Sequence, residues 1–314
     1  MDLRHISFRL LEVFMSVVKT RSISETARRL HLTQPTVSLQ IKRLQESVGE
    51  PLIIMQQKKL YVSEAGVELY KTCQQVFGHF DDYQAYLTQL HGGSRGRCKI
   101  AMVNTAQYIL PKLLGPYSRL NPHVELPLEI GNRSQVLERF ERGDDDIYVF
   151  SHPPSLEHAQ AARFLQNPLE FIVPINHPLA SSKKVKLVDL MPYRFLLREN
   201  GSATRMLFES ELQSRGLVLS DTVQMASNEA IRVAVTSGMG IAVLSRHVLV
   251  KEDASYNVLS VEDTRLASYW YFVIRTDRHI SHAARNFLKF AQQHLDDYLD
   301  EPWVRNELHN LTLD

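Results

Sequence analysis

The chain is poor in cysteine. Of 314 residues only Cys73 and Cys98 carry thiols. Two thiols exclude a disulfide framework and a thiolate metal cluster, and they suit a reducing compartment. Long apolar runs are also missing: none approaches the roughly 20 residues of a membrane span. The opening stretch MDLRHISFRLLEVF turns amphipathic at once and has no small-residue cleavage site, so no secretory leader and a cytoplasmic location are expected. Net charge is nearly absent, with 36 basic against 35 acidic side chains. Overall charge therefore does not announce a polyanionic partner.

Catalytic and metal-binding patterns are missing as well. Gly238-Met239-Gly240 lacks the lysine and spacing of a phosphate loop and reads as a tight turn. His279 and His282 stand three apart, with no carboxylate or thiol to complete a metal set. Asp144-Asp145-Asp146 reads as the opening of a strand at a lobe edge. No catalytic residue, metal or cofactor is expected, and the chain is not read as an enzyme.

What is present begins at the N-terminus. Residues 1–72 hold eleven basic and seven acidic side chains, a local excess of +4. Ile6, Leu10, Leu11, Phe14 and Val17 follow helical spacing. Ser22 and Glu25 form a capping-box pattern ahead of a short helix with the small Ala27 on its inner face. Thr33 caps a third helix, with Pro35 in its first turn and Gly49 at its end. Val37, Ile41, Leu44 and Val48 make its buried stripe, so Pro35, Leu39 and Lys42 point away, flanked by Gln34, Ser38 and Arg43. Two short strands follow, Leu52–Ile54 and Leu60–Val62, joined by Gln56-Gln57-Lys58-Lys59. This is a winged helix-turn-helix.

The run SISETARRLHLTQPTVSLQIKRLQESVGEPLI, continued by LYVSEAG, resembles the DNA-binding domain of LysR-type transcriptional regulators over about 65 residues. Ala27, Leu30, Thr33-Gln34-Pro35, Ser38, Gln40-Ile41, Leu44, Gly49, Leu52 and Ala65-Gly66 carry the likeness. The resemblance implies a DNA-reading surface of Thr33, Gln34, Pro35, Thr36, Ser38, Leu39, Lys42 and Arg43, with Lys58 and Lys59 on the wing. The plain alternatives are solvated helix positions for Gln34 and Ser38, and an ordinary polar turn for the lysines. Two positions depart from the family. Leu39 stands where arginine is frequent, and Ile53 to Gln56 stand where an aromatic and an arginine are frequent. Leu39 is read as touching a thymine methyl, or as only covering its neighbour.

Leu69, Cys73, Val76, Phe80, Tyr83, Leu87 and Leu90 step alternately by four and three, a heptad seam that calls for a partner helix. In the resembled family this segment pairs as an antiparallel dimer linker. A homodimer on a double-stranded DNA operator with dyad symmetry is therefore expected. The family also implies a homotetramer, and RNA polymerase as a partner if the chain activates. Gly92, Gly93 and Gly96 then mark a hinge.

From Cys98 onward strands and helices alternate, which argues a mainly parallel sheet wrapped by helices. The fold class expected is an α/β effector domain of two Rossmann-like subdomains, periplasmic-binding-protein-like, preceded by a mainly α winged helix-turn-helix domain and a long linker helix. The organisation expected is 1–64 for DNA binding, 65–91 for the dimerising helix and 92–97 for the hinge. Residues 98–168 plus 271–300 make effector subdomain I, and 169–270 make subdomain II. The tail 301–314 is left without a role, with Trp303 as its candidate anchor.

Three loops should line a crevice at the strand ends. The first is Asn104-Thr105-Ala106-Gln107, with Thr105 as cap of the next helix. The second is Gly131-Asn132-Arg133. The third, Arg198 to Arg205, offers Gly201, Ser202, Ala203, Thr204 and Arg205: small residues feeding a helix, hydroxyls and a guanidinium. That chemistry suits an anionic small-molecule effector, a carboxylate or a phosphate. The alternative makes Ser202 only an N-cap and Arg205 only an ion-pair partner. The loop resembles the R-E-P-G-S-G-T-R stretch of the family branch that regulates carbon-dioxide-fixation operons and senses phosphorylated metabolites, with Asn200 and Ala203 as departures. Two rival readings remain: a constitutive DNA binder with no effector, and a two-lobe solute-binding protein or enzyme.

Overall fold

Ser7, Ser22 and Thr33 start the first three helices, α1 (Phe8–Thr20), α2 (Ile23–Arg29) and α3 (Gln34–Val48). Each hydroxyl accepts from the backbone N–H three residues on, at 3.2–3.3 Å. The capping box expected at Ser22 is only half made. Glu25 turns outward and pairs with Arg28 at 2.7 Å. Val13, Phe14, Val17, Ala27, Val37, Ile41 and Leu44 close the three-helix core. Strands β1 (Ile53–Gln56) and β2 (Lys59–Val62) form an antiparallel hairpin. Gln45 Oε1 accepts from the N–H groups of Leu52 and Ile53 at 2.9 and 3.0 Å, which pins the hairpin to α3. The long helix α4 (Glu64–Leu90) then begins. Its Tyr70 and Cys73 sink into the same core, and burial pushes the Cys73 thiol up to about 12.

The three helices, the hairpin and α4 as far as Tyr83 belong to the first of two compact units, Met1–Tyr83 and Gln84–Asp314. The structure is a computed structural model that describes residues 3–56, 59–90, 95–155, 158–182, 184–250, 254–264, 266, 268, 269–278 and 280–313.

In the second unit the chain runs through β3 (Arg95–Arg97), β4 (Ile100–Val103), α5 (Leu110–Leu120), β5 (His123–Glu125), β6 (Leu128–Gly131), α6 (Arg133–Arg142), β7 (Ile147–Phe150) and β8 (Ala159–Gln166). It crosses into β9 (Leu169–Pro174), β10 (Phe195–Arg198), α7 (Ala203–Ser214), β11 (Thr222–Met225), α8 (Asn228–Thr236), β12 (Ile241–Ser245) and β13 (Tyr256–Leu259). It returns through β14 (Tyr269–Arg275) and ends with α9 (His282–Tyr298). Two five-stranded sheets result, ordered β6-β4-β7-β14-β8 and β11-β10-β12-β9-β13. Each supports one lobe.

Each sheet is mainly parallel, as expected, with one reversed strand, β14 in the first and β9 in the second. β4 runs parallel to β6 and β7, but β14 is antiparallel to β7 and β8. Likewise β10 is parallel to β11 and β12, while β9 is antiparallel to β12 and β13. The antiparallel members are those on which the chain passes between lobes. At that crossing Asn167 donates its backbone N–H to the Ser268 carbonyl at 2.8 Å, and Ser245 Oγ donates to Asn167 Oδ1 at 2.6 Å. All three residues are buried.

Pro127 separates β5 from β6 within the apolar stretch 124–130, because proline removes a ladder donor. Strand β8, AQAARFLQ, shows no sequence signal, yet Ala162, Phe164 and Leu165 are buried on it. The Asp144–Asp146 run opens β7, the middle strand of its sheet and not an edge. Its carboxylates are occupied: Asp145 takes two bonds of 2.8 Å from Arg139, and Asp146 accepts from Lys99 N–H at 2.8 Å.

The tail packs along β8, the outer strand. Arg305 and Glu307 donate backbone N–H bonds to the carbonyls of Phe164 and Arg163, and Leu308 and Leu311 bury into the lobe. The extension thus covers a sheet edge that would otherwise stand open. No helix is long and apolar enough to cross a membrane, and no group of three or more His, Cys, Asp or Glu is placed to hold a metal, among the described residues. His282 begins α9, and His279 lies outside the described residues.

Candidate effector cleft and DNA-reading surface

The ends of β4, β7 and β10 deliver Asn104, Ser151 and Arg198 to one cleft between the lobes. Asn104, Thr105, Asn132, Arg133, Ser151, Arg198, Ser202, Ala203 and Thr204 line it. The remaining expected residues, Ala106, Gln107, Gly131, Gly201 and Arg205, do not. The space between these side chains is narrow, about 10 Å³, room for one water.

Thr105 does not cap a helix. It is buried inside the 3-10 turn Asn104–Tyr108, and α5 starts later, after Ile109. Asn132 is the working cap on this side: its Oδ1 accepts from Gln135 N–H at 3.0 Å, and Gln135 Oε1 accepts from Asn132 N–H at 2.9 Å. The next side chain, Arg133, is half-buried and donates Nε–H to the His152 carbonyl at 3.0 Å. It has no carboxylate partner among the described residues. Burial lowers its guanidinium below the usual arginine range. Burial, and then the Arg133 charge, lowers the His152 imidazole.

The facing lobe brings the start of α7. Gly201 turns the loop at φ +86°, and a Cβ there would lie 2.6 Å from Ser134 Oγ of the other lobe, so only glycine fits. Ser202 occupies the N-cap position, yet its hydroxyl makes no capping bond. The first amides of α7 therefore lack a side-chain cap from Ser202. Ser202→Ala is expected to shift the melting temperature by less than about 1 °C, whereas loss of a working cap costs about 1 kcal/mol, or roughly 2–4 °C here. A thermal scan showing the larger drop would contradict this placement.

Arg205 turns to its own lobe. Its Nε pairs with Glu209 at 2.7 Å, and Nη1 donates to Gln224 Oε1 at 2.8 Å and to the Arg198 carbonyl at 3.1 Å. Arg198, absent from the expected set, is the buried guanidinium on the cleft floor. It grips Glu199 through Nε and Nη2 at 2.8 and 2.9 Å, and Asn228 through Nη1 at 2.6 Å. With the Asn104 amide turned so that its oxygen faces Arg198, that oxygen accepts from Nη2 across the cleft at 3.2 Å. Tyr108 and Glu229 also bond between the lobes. Both Arg198 and Ser151 could be found by rule, since each stands at or just past a strand C-terminus.

On the first unit, α3 presents Gln34, Pro35, Ser38, Leu39, Lys42 and Arg43 to solvent. Thr33 is exposed at the cap, and Thr36 is half-buried with its hydroxyl 2.8 Å from that of Thr33. Lys59 is exposed, and Lys58 lies outside the described residues. The heptad seam divides. Cys73 is buried in the core of its own unit, Leu69 and Val76 are half-buried, and Phe80, Tyr83 and Leu87 are exposed. Phe8 of α1 meets Phe77 and Phe80 edge to face at 5.5 and 5.0 Å. The side chain of Leu90 lies outside the described set.

Two family models match the chain: a bacterial regulatory helix-turn-helix of the lysR family over residues 8–67, and a LysR substrate binding domain over 91–296. The chain belongs to the LysR family of transcriptional regulators. This LysR-family chain is 35% identical over 285 residues to the transcriptional activator CmpR of Synechocystis sp., covering 90% of this chain and 94% of that one. It is 34% identical over 292 residues to the RuBisCO operon transcriptional regulator of Acidithiobacillus ferrooxidans, covering 92% and 94%. The RuBisCO operon transcriptional regulator of Allochromatium vinosum is 32% identical over 289 residues, covering 91% of this chain and 96% of that one. Among solved structures, the Synechocystis CcmR regulatory domain in complex with 2-PG aligns at TM-score 0.59 and 30% identity, over 64% of this chain and 98% of that one. The LysR assignment makes the chain a DNA-binding regulator with an effector-binding domain, and its relatives are regulators, not enzymes.

Proposed function

We propose that this regulator is gated by a small anionic metabolite held between its two effector lobes. The observation that carries this reading is Arg133: a half-buried guanidinium lining the cleft, with one carbonyl bond and no described carboxylate. Opposite it stand the uncapped amides of α7 and the Ser202 and Thr204 hydroxyls. A carboxylate or phosphate placed there would satisfy all of them at once. The 2-PG complex of the CcmR domain supports a ligand of this class. In this reading 1–64 reads DNA, 65–91 pairs two chains, 92–97 is a hinge, and 98–168 plus 271–300 faces 169–270 across the effector. The exposed Phe80, Tyr83 and Leu87 support the pairing. The DNA partner is then a dyad, read by Gln34, Pro35, Ser38, Leu39, Lys42 and Arg43 of both chains, and higher assembly is a tetramer.

Calorimetric titration of the full-length chain with 2-PG and with orthophosphate tests the effector reading. One site per chain for at least one of the two is expected. Heat from neither would favour the constitutive binder. On the DNA side, Leu39 is 49% exposed on α3. Leu39→Ala is expected to weaken preference for thymine at one position of each half-site by about fourfold, the value of roughly one buried methylene. An unchanged consensus in a binding-site selection would remove the methyl contact.

A further inference from the structure

The two effector lobes and the tail 301–314 meet at one histidine. His247 lies on the 3-10 turn Arg246–Val248 that follows β12, and Val248 of that turn is buried in the core of the second lobe. The His247 ring reaches the first lobe, that of β8 and β14. Its Nε2 donates to the Gln166 carbonyl, at the end of β8, at 2.9 Å. The Trp270 ring of β14 lies 5.0 Å away and the Trp303 ring of the tail 6.5 Å away, the latter edge to face. Trp270 is fully buried, and Trp303 packs half-buried against the core of the first lobe.

The same histidine ends a buried polar chain that begins in the cleft. Ser268 Oγ donates to the Ser151 carbonyl at 3.3 Å, and Asn167 Nδ2 donates to Ser268 Oγ at 3.3 Å. Ser245 Oγ donates to Asn167 Oδ1 at 2.6 Å, and the His247 N–H donates to Ser245 Oγ at 3.3 Å. Next to it the Arg246 N–H donates to the Pro168 carbonyl at 2.9 Å. These bonds sit where the two strands cross between lobes, so a rotation of one lobe against the other must disturb them. The tail reaches the same place. Val304 bridges Leu165, and Arg305 donates Nη2 to Gln166 Oε1 at 3.1 Å. Gln166 is thus held by its carbonyl from the second lobe and by its side chain from the tail. Covering the edge of β8 requires only the tail backbone beyond Trp303, whereas the Trp303 ring extends to a residue of the other lobe.

We infer that the tail is a strap on the lobe hinge. Trp303 holds His247 of the second lobe beside Trp270 of the first, and so restrains rotation of the lobes about their two crossing strands. An aromatic pair of this kind shifts a local equilibrium by about two- to tenfold. The restraint reaches Ser151 in the cleft through the chain of Ser245, Asn167 and Ser268, a contiguous route of hydrogen bonds. The inference concerns the hinge alone and does not rest on what the cleft binds.

Hydrogen exchange of the full-length chain tests the strap. In Trp303→Ala the tail keeps its backbone bonds to β8 and loses its reach to His247. The amides of Asn167 and Arg246, which donate at the crossing, are expected to exchange about fivefold faster than in the original chain, with those of β4 and β10 unchanged. His247→Gln removes the ring from the other side and keeps a donor for the Gln166 carbonyl. It is expected to give the same pattern, and it decides the matter if Trp303→Ala does not fold. Crossing amides that exchange within about 1.5-fold of the original rate would overturn the inference. So would acceleration confined to the amides of Arg305 and Glu307, because the tail would then only cover the sheet edge.

Discussion

Replacing Arg133 with Gln is expected to weaken binding of an anionic effector by about 30-fold while leaving DNA affinity without effector unchanged. A charge-assisted hydrogen bond contributes about 1.5–3 kcal/mol, which spans roughly 10- to 150-fold. Arg133 belongs near the middle of that range. Among the described residues its guanidinium bonds to the His152 carbonyl and to no carboxylate, so its remaining donors can meet an anion without breaking a described ion pair. Its half-burial strengthens the attraction relative to a surface site. Glutamine keeps a polar side chain at the first position of α6 and leaves the Asn132–Gln135 cap in place, so the lobe stays folded. Calorimetry on both proteins, with a thermal scan as control, reads the outcome. Arg205→Gln makes the contrast. That side chain already serves Glu209, Gln224 and the Arg198 carbonyl, so its loss should lower the melting temperature more than effector affinity. Equal effector affinity in Arg133→Gln and the original would exclude Arg133 as the anion's partner.

The second large effect is expected at Gly66, where the hairpin meets α4. A Cβ there would collide with the Leu52 carbonyl oxygen and lie 2.8 Å from Val62 Cγ1. The first obstacle is backbone and cannot rotate away. Overpacking of this kind costs about 1–3 kcal/mol, and contact with a carbonyl places it at the upper end. Gly66→Ala should therefore lower the melting of the DNA-binding unit by roughly 12–24 °C, given about 4–8 °C per kcal/mol for a unit of this size. The effector unit should melt as before. DNA binding at 37 °C should fall with the first transition and effector binding should not. A scan with both transitions unmoved would contradict the packing at this junction.

Much of the first unit was readable in the residues because its determinants are local. Ser22, Thr33 and Gly49 act within four residues of themselves, and the stripe Val37–Ile41–Leu44 repeats at helical spacing. The seam on α4 shows the limit of that reasoning. Spacing alone does not reveal that Cys73 turns into its own domain while Phe80 and Tyr83 remain outside. In the effector unit the loops were legible, since small residues ahead of a helix are a local pattern. Which arginine faces the cleft was not. Arg205 is claimed by Gln224 nineteen residues away, and Arg198 is gripped by its neighbour Glu199 and by Asn228 on another helix. Strand β8 escaped notice for a similar reason. Its alanines are strand residues only because β14 lies against them on one side and the tail on the other.

In the proposed function an anion in the cleft changes how the protein sits on DNA. The measurement that tests it most directly is footprinting of the full-length chain on a selected dyad operator, with and without 2-PG, alongside the Arg133→Gln variant. The expected result is a footprint that lengthens, shortens or shifts on addition of 2-PG for the original chain, and one that stays fixed for the variant. If 2-PG binds by calorimetry yet both footprints are unaltered, or if both proteins respond alike, the cleft does not gate DNA binding in the way proposed.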